Sequence, residues 1–161
     1  MFDLSILFPS VLNGLTTGAV YALIALGLTL IYGVLHIINF AHGASLMLAL
    51  YAVYLLKQHF GLDPYLALPI LVPGMFALGY ALQRLVINRA SHGKDENILL
   101  VTLGISIVME NLELLFFKSD TRTIETAYTL TTVAVGPAMI ALPKLVAFAG
   151  ALGVSAVLLW I

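Results

Sequence analysis

The sequence contains no cysteine. Disulfides, thiolate metal sites and cysteine nucleophiles are excluded, while the redox compartment stays open. Charge is nearly as scarce: Asp, Glu, Lys and Arg make up 9% of the 161 residues, where a soluble domain carries about 25%. A soluble fold of this size could not cover its surface with so few ionic groups. Net charge is −1, so there is neither a basic footprint for nucleic acid nor a polybasic lipid-binding tail. Asp3 is the first charged residue and no Lys or Arg precedes Lys57. Without a basic n-region the first apolar segment reads as a retained membrane span rather than a secretory signal peptide.

Soluble-enzyme signatures are missing as well. Gly93-Lys94 is followed by Asp95, and Asn88 stands where a phosphate-binding loop would have its first glycine. There is no HExxH, GxSxG or GxGxxG, so no cofactor, metal or catalytic residue is expected. His36 and His42 are too far apart for an i, i+4 metal pair, and no carboxylate nearby completes a set.

What the chain has is apolar length. Hydrophobic residues make up 61% of it, and lipid can solvate such side chains on the outside of a fold as well as within it. Positions 4–56 contain no Asp, Glu, Lys or Arg. As one helix they would reach nearly ~80 Å, against a hydrocarbon core of about 30 Å, so the run must fold back. The only cluster of imidazole, amide and glycine within it is His36-Ile-Ile-Asn39-Phe-Ala-His42-Gly43. This predicts an all-α, polytopic transmembrane helix bundle, one membrane domain with about five spans near 9–35, 40–56, 65–83, 97–117 and 145–161. The third carries Pro69 and Pro73, which predicts a kink. The Thr-rich connection 118–142 is expected to hold a short surface helix. Arg84, Arg89 and Lys94 crowd the loop before the fourth span, which places that loop in the cytoplasm and the N-terminus outside.

Span one presents a small and polar face. At about 100° per residue, Gly14, Gly18, Tyr21, Ala25, Leu28, Thr29 and Tyr32 share a third of its circumference. Gly14, Gly18 and Ala25 suit close helix packing. Tyr21, Thr29 and Tyr32 are candidates for lining a translocation path, and one face can serve both purposes. Asn39 and His42 at the break have two readings: a capped turn at the membrane surface, or a pore-side element. Of the two carboxylates in span four, Glu113 reads as a group near the interface that snorkels or meets a partner charge. Glu110 reads as a polar helix–helix contact or a path residue.

The stretch 14–48, GLTTGAVYALIALGLTLIYGVLHIINFAHGASLML, resembles the N-terminal signature of the membrane permease subunits of branched-chain amino-acid ABC importers. Its Tyr-Ala-Leu-Ile-Ala-Leu-Gly core and Ile-Asn-Phe-Ala-His-Gly turn carry the likeness. A second stretch is similar too: Leu103-Gly-Ile-Ser-Ile-Val, then Asn111, Phe116-Phe117 and Ser119-Asp-Thr-Arg. The resemblance implies an importer subunit in the bacterial inner membrane. Its partners would be a second homologous permease, two cytoplasmic ATP-binding subunits and an external substrate-binding protein. Leucine, isoleucine and valine would pass between the permeases, and ATP would be hydrolysed on the partner subunits. Relatives in the same superfamily carry urea or short amides. Members are nearly twice as long, so the resemblance also implies a missing later half that docks on the ATPase. Two other classes compete. A secondary transporter would need intramembrane charge, for which Glu110 is the candidate. A non-transporting membrane scaffold is the other.

Overall fold

The computed structural model describes residues 4–92, 95–118, 120–135 and 138–160. Asp3, Gly93, Lys94 and Ser119, which entered the readings above, lie outside the described residues, as does the last position of the fifth expected span.

The expected helical membrane fold is what forms, with five long helices among the described residues. They are α1 (Leu4–Leu35), α2 (His42–Phe60), α3 (Pro64–Leu82), α5 (Asp95–Phe117) and α6 (Leu142–Trp160), with α4 (Asn88–Ala90) a single turn after α3. Three helical stretches are long and apolar enough to cross a membrane: Ile6–Val34, Pro64–Ala90 and Asp95–Phe117. Leu142–Leu158 is apolar but shorter. In α2 the polar Lys57, Gln58 and His59 occupy the last turn and shorten the apolar stretch.

Three hydroxyls inside α1 cost little in lipid because they bond back to their own helix. Ser10 donates to the Ile6 carbonyl at 2.8 Å, Thr16 to Leu12 at 3.0 Å and Thr29 to Ala25 at 2.9 Å. The helix ends on His36, whose φ of 57° lies in the left-handed region while its N–H donates to the Tyr32 carbonyl at 2.7 Å. That conformation stops a helix, and imidazole adopts it more readily than a β-branched side chain would. α2 closes in the same way on Gly61 (φ 65°), whose N–H bonds to the Lys57 carbonyl at 3.0 Å. Asp63 then caps α3 by accepting from the Tyr65 N–H at 3.0 Å, with Pro64 at the first helical position.

Pro69 and Pro73 both lie within α3. The departure from regular winding comes later, as a π-turn at Gln83–Ile87 that runs on into α4. Such a wide turn leaves one residue out of the regular ladder. Here the Gln83 amide bridges to the Asn88 carbonyl oxygen of its side chain at 2.9 Å, and Arg84 donates to the Tyr80 hydroxyl at 2.8 Å.

The described chain divides into two compact units. In the unit Ile31–Ile124 the core is Ala41, Ile87 and Ile105, with Leu82, Ile98, Val101 and Met109 packed against it. Ala44 and Ala67 are fully enclosed, so small side chains let α2 and α3 come close. The other unit comprises Met1–Leu30 and Glu125–Ile161. In it the Thr-rich connection forms an antiparallel hairpin, β1 (Thr132–Val135) with β2 (Ala138–Ala141), pairing Val133 with Ile140. The expected surface helix is not what forms: Thr131, Thr132, Val133 and Val135 are β-branched, and such residues favour a pleated strand.

Candidate functional site

The break after α1 is held by a set of polar contacts. The Asn39 side-chain oxygen accepts from the Ala41 N–H at 3.0 Å, and its carbonyl accepts from the His42 N–H at 3.3 Å. Asn39 thereby builds the turn that starts α2. Ser45 adds a bond from its hydroxyl to the Ala41 carbonyl at 2.8 Å. The Phe40 N–H reaches the Thr102 hydroxyl of α5 at 3.4 Å, which ties the break to the fourth long helix. Thr102 is fully buried and passes its own proton to the Leu99 carbonyl at 3.1 Å.

The same place is where the π-turn arrives. Asn39, Gln83 and Thr102 line a small cavity of about 150 Å³ with Ile37, Ile87 and Ile98. Irregular backbone is tolerated at membrane depth only where protein or a water-filled cavity surrounds it, and two irregular segments meet here. Sequence reading singled out Asn39 and His42 but not Thr102 or Gln83. The signal for Thr102 was available: Thr102, Ser106, Glu110 and Glu113 share a helical stripe in an otherwise apolar span.

The two carboxylates of α5 have different surroundings. Glu113 is 3% exposed rather than snorkelling, and neither carboxyl oxygen has a hydrogen-bond partner among the described residues. It borders an apolar cavity of about 280 Å³ lined by Leu48, Leu78, Leu82, Met109 and Phe116. The stripe of Thr102, Ile105, Ser106 and Glu113 is the buried face of α5, and the helical period carries Glu113 inward with it. Glu110 is exposed and accepts from Ser106 of its own helix at 2.8 Å, so its polar contact is within α5 rather than between helices.

At the end of α5, Arg122 folds over α2. Its guanidinium donates to the Tyr54 hydroxyl at 3.3 Å and to the Phe117 carbonyl at 3.4 Å, and lies 5.5 Å from the Tyr54 ring centre. The hydrogen bond to Tyr54 holds it above its already high ordinary pKa, so it stays cationic at every working pH. Tyr51 and Phe117 stack beneath it, 3.9 Å apart and tilted by 8°. The Asp-Thr-Arg motif was legible in the sequence, but its partner Tyr54, 68 residues away, was not.

The α1 face is open. Tyr21 is 68% exposed and Tyr32 52%, Thr29 is exposed, and Tyr32 has the His36 ring 6.5 Å away. A Cβ built at Gly14 or Gly18 would meet nothing within 4 Å among the described residues. Ala25 is exposed too. Gly14 and Gly18 line a groove of about 540 Å³ whose far wall is Phe148, Ala151, Leu152 and Ser155 of α6.

Comparison with known proteins now decides the family. The family model described as branched-chain amino acid transport system / permease component matches residues 10–161. The chain belongs to this permease family. It is 34% identical over 125 residues to the high-affinity branched-chain amino acid transport system permease protein BraD of Pseudomonas aeruginosa, covering 71% of this chain and 40% of that protein. It is 32% identical over 110 residues to the permease protein LivH of the corresponding system of Salmonella typhimurium, covering 62% and 35%. LivH of Escherichia coli K12 is likewise 32% identical, over 107 residues. The chain thus spans 40% or less of the length of these curated relatives. No solved structure matches it at comparable significance. The family is the one that the stretches 14–48 and 103–122 resemble. Its members are transport subunits rather than enzymes, and a member with several apolar helices is a multi-pass membrane protein.

Proposed function

We propose that this permease is the membrane subunit of an ABC importer that carries branched-chain amino acids across the bacterial inner membrane. The observation that carries the reading is the family match over 152 of 161 residues (10 through 161), on a chain whose described helices include three of membrane-crossing length. A second homologous permease, two cytoplasmic ATP-binding subunits and an external substrate-binding protein complete the assembly in this reading. ATP is hydrolysed on the ATP-binding subunits. Positive charge at Arg84 and Arg89 puts the loop after α3 in the cytoplasm and the ends of α2 and α5 outside.

The path runs between the two permeases. Tyr21, Thr29 and Tyr32 stand exposed on α1, and exposed hydroxyls and aromatic edges suit transient passage of an amphipathic solute. Asn39 and His42 hold the break that positions this face, and Glu110 contributes a polar rim on α5. Gly14, Gly18 and Ala25 admit close approach of the companion permease, and a Cβ at either glycine would meet no atom within 4 Å among the described residues.

The test is ATP-dependent leucine uptake by the reconstituted assembly, with isoleucine, valine, urea and short amides as competitors. Competition by isoleucine and valine alone is expected. Competition by urea or amides in their place would move the substrate to the other branch of the superfamily. An assembly that carries no solute would leave a scaffold. Asn39→Ala, His42→Ala and Tyr32→Ala should each reduce uptake at normal membrane levels. Unchanged uptake in all three would reduce these residues to packing.

A further inference from the structure

Where α2 ends, α3 begins and α5 ends, the unit Ile31–Ile124 has a cavity that neither the break nor the α1 face accounts for. It measures about 560 Å³, within the ~300–1,000 Å³ usual for small-molecule sites. Met47, Leu50 and Val53 of α2 with Ile124 form its apolar wall, and Asp120 and Arg122 form its polar rim. Tyr54 holds Arg122 in place from below. Two of the five guanidinium N–H groups are engaged, both in long bonds of 3.3 and 3.4 Å, which leaves the others for an anion. Among the described residues Asp120 makes no hydrogen bond or ion pair, although Arg122 lies only two positions along the chain. The rim thus offers a cation and an anion whose charges act on each other without closing a direct ion pair, above a wall of branched and thioether side chains.

We propose that this cavity is an entry site for a hydrophobic amino acid in its zwitterionic form, with Arg122 receiving the carboxylate, Asp120 the ammonium group, and the α2 wall the aliphatic side chain. The inference rests on the import reading above and deepens it by naming residues that meet the solute first. Three features favour a zwitterion over other occupants. A simple anion would meet Asp120 beside Arg122, and a simple cation would meet the reverse. An uncharged amide would leave both charges unmatched, whereas a zwitterion satisfies both. The location also fits solute arriving from outside. Arg84 and Arg89 lie 20 or more residues beyond Pro64, past the end of α3 in the continuous helical stretch Pro64–Ala90, roughly 30 Å away at 1.5 Å per residue. The crowding of Arg84, Arg89 and Lys94 within eleven residues, against Lys57, Lys118 and Arg122 spread over longer connections at the other end, marks their end as cytoplasmic. The cavity is therefore at the opposite face, where a binding protein would release its cargo.

The experiment compares leucine uptake by the complete assembly carrying Arg122→Gln, Asp120→Asn, Arg122→Lys, or Arg89→Gln as a charge-loss control at the other end of the unit. Initial rates are measured against the concentration of leucine-loaded binding protein, and inhibition by free leucine, leucinamide and 4-methylpentanoate is measured alongside. A charge-assisted hydrogen bond is worth about tenfold in binding. Arg122→Gln and Asp120→Asn should each raise the KM about tenfold or more at normal membrane levels, and Arg89→Gln should leave it unchanged. Arg122→Lys keeps the charge without the fork and should fall between, which preserves the test if Arg122→Gln fails to assemble. In the wild-type assembly leucinamide, without the carboxylate, and 4-methylpentanoate, without the ammonium, should each inhibit less than leucine. The advantage of leucine over leucinamide should vanish in Arg122→Gln, and its advantage over 4-methylpentanoate in Asp120→Asn. A wild-type assembly that takes up leucine while both rim variants keep its KM would overturn the entry site and leave the import reading standing. Failure of the wild type to take up leucine would instead overturn the import reading. An effect of Arg122→Gln that disappears in vesicles without anionic lipid would make Arg122 a lipid headgroup contact and overturn the proposal.

Discussion

Replacing Glu113 with methionine is expected to stabilise the protein. The carboxyl sits on the buried face of α5, 3% exposed, against Leu48, Leu78, Leu82, Met109 and Phe116. Neither oxygen has a hydrogen-bond partner among the described residues. An unpaired buried polar group costs roughly 1–3 kcal/mol in proteins. Lipid supplies no strong hydrophobic drive between helices, so packing and hydrogen bonding carry the association of α2, α3 and α5. Methionine has nearly the same length and an unbranched chain, fills the same space and asks for no donor. The gain should therefore be about 1–3 kcal/mol. At about 2–4 °C per kcal/mol for a chain of this size, the thermal midpoint should rise by roughly 2–12 °C. Thermal unfolding of the purified protein in mild detergent, followed by circular dichroism, measures it. Glu110→Met is the companion: Glu110 is exposed and Ser106 can bond back to its own helix, so a change within about 0.5 kcal/mol is expected. A fall in the Glu113→Met midpoint would refute the reasoning, because it would mean that the carboxyl is satisfied by a donor outside these residues.

Two further outcomes follow from single contacts. Thr102→Val removes the oxygen that accepts from the Phe40 N–H at 3.4 Å and should cost about 1–3 kcal/mol by thermal unfolding, with Thr102→Ser recovering most of it; equal losses in both variants would point to the methyl group's packing instead. A Cβ at Gly18 meets no atom within 4 Å among the described residues and the groove it borders holds about 540 Å³, so the thermal midpoint of Gly18→Leu should stay close to that of the parent while co-purification with the companion permease drops several-fold, and normal co-purification would turn that face toward lipid.

The sequence alone determined the class and the places where the chain must turn. A charge-free run longer than one crossing has to fold back, and the only imidazole–amide–glycine cluster in it is where α1 ends and α2 begins. Asp63-Pro64 and Gly61 are equally local signals, since a cap or a left-handed residue acts within one helical turn. These features depend on near neighbours, and composition together with spacing suffices to find them.

Tertiary structure decided which polar groups face inward. Glu110 and Glu113 are three residues apart on one helix, and only the packing of α2 and α3 against α5 chose Glu113 for burial. The pairing of Thr102 with Phe40 and of Arg122 with Tyr54 joins residues 62 and 68 positions apart, a relation no local pattern encodes. The same holds for the π-turn at Gln83–Ile87, which no Gly or Pro within it announces. Helical period says that residues share a face; only the neighbouring helices say whether that face meets lipid, protein or water.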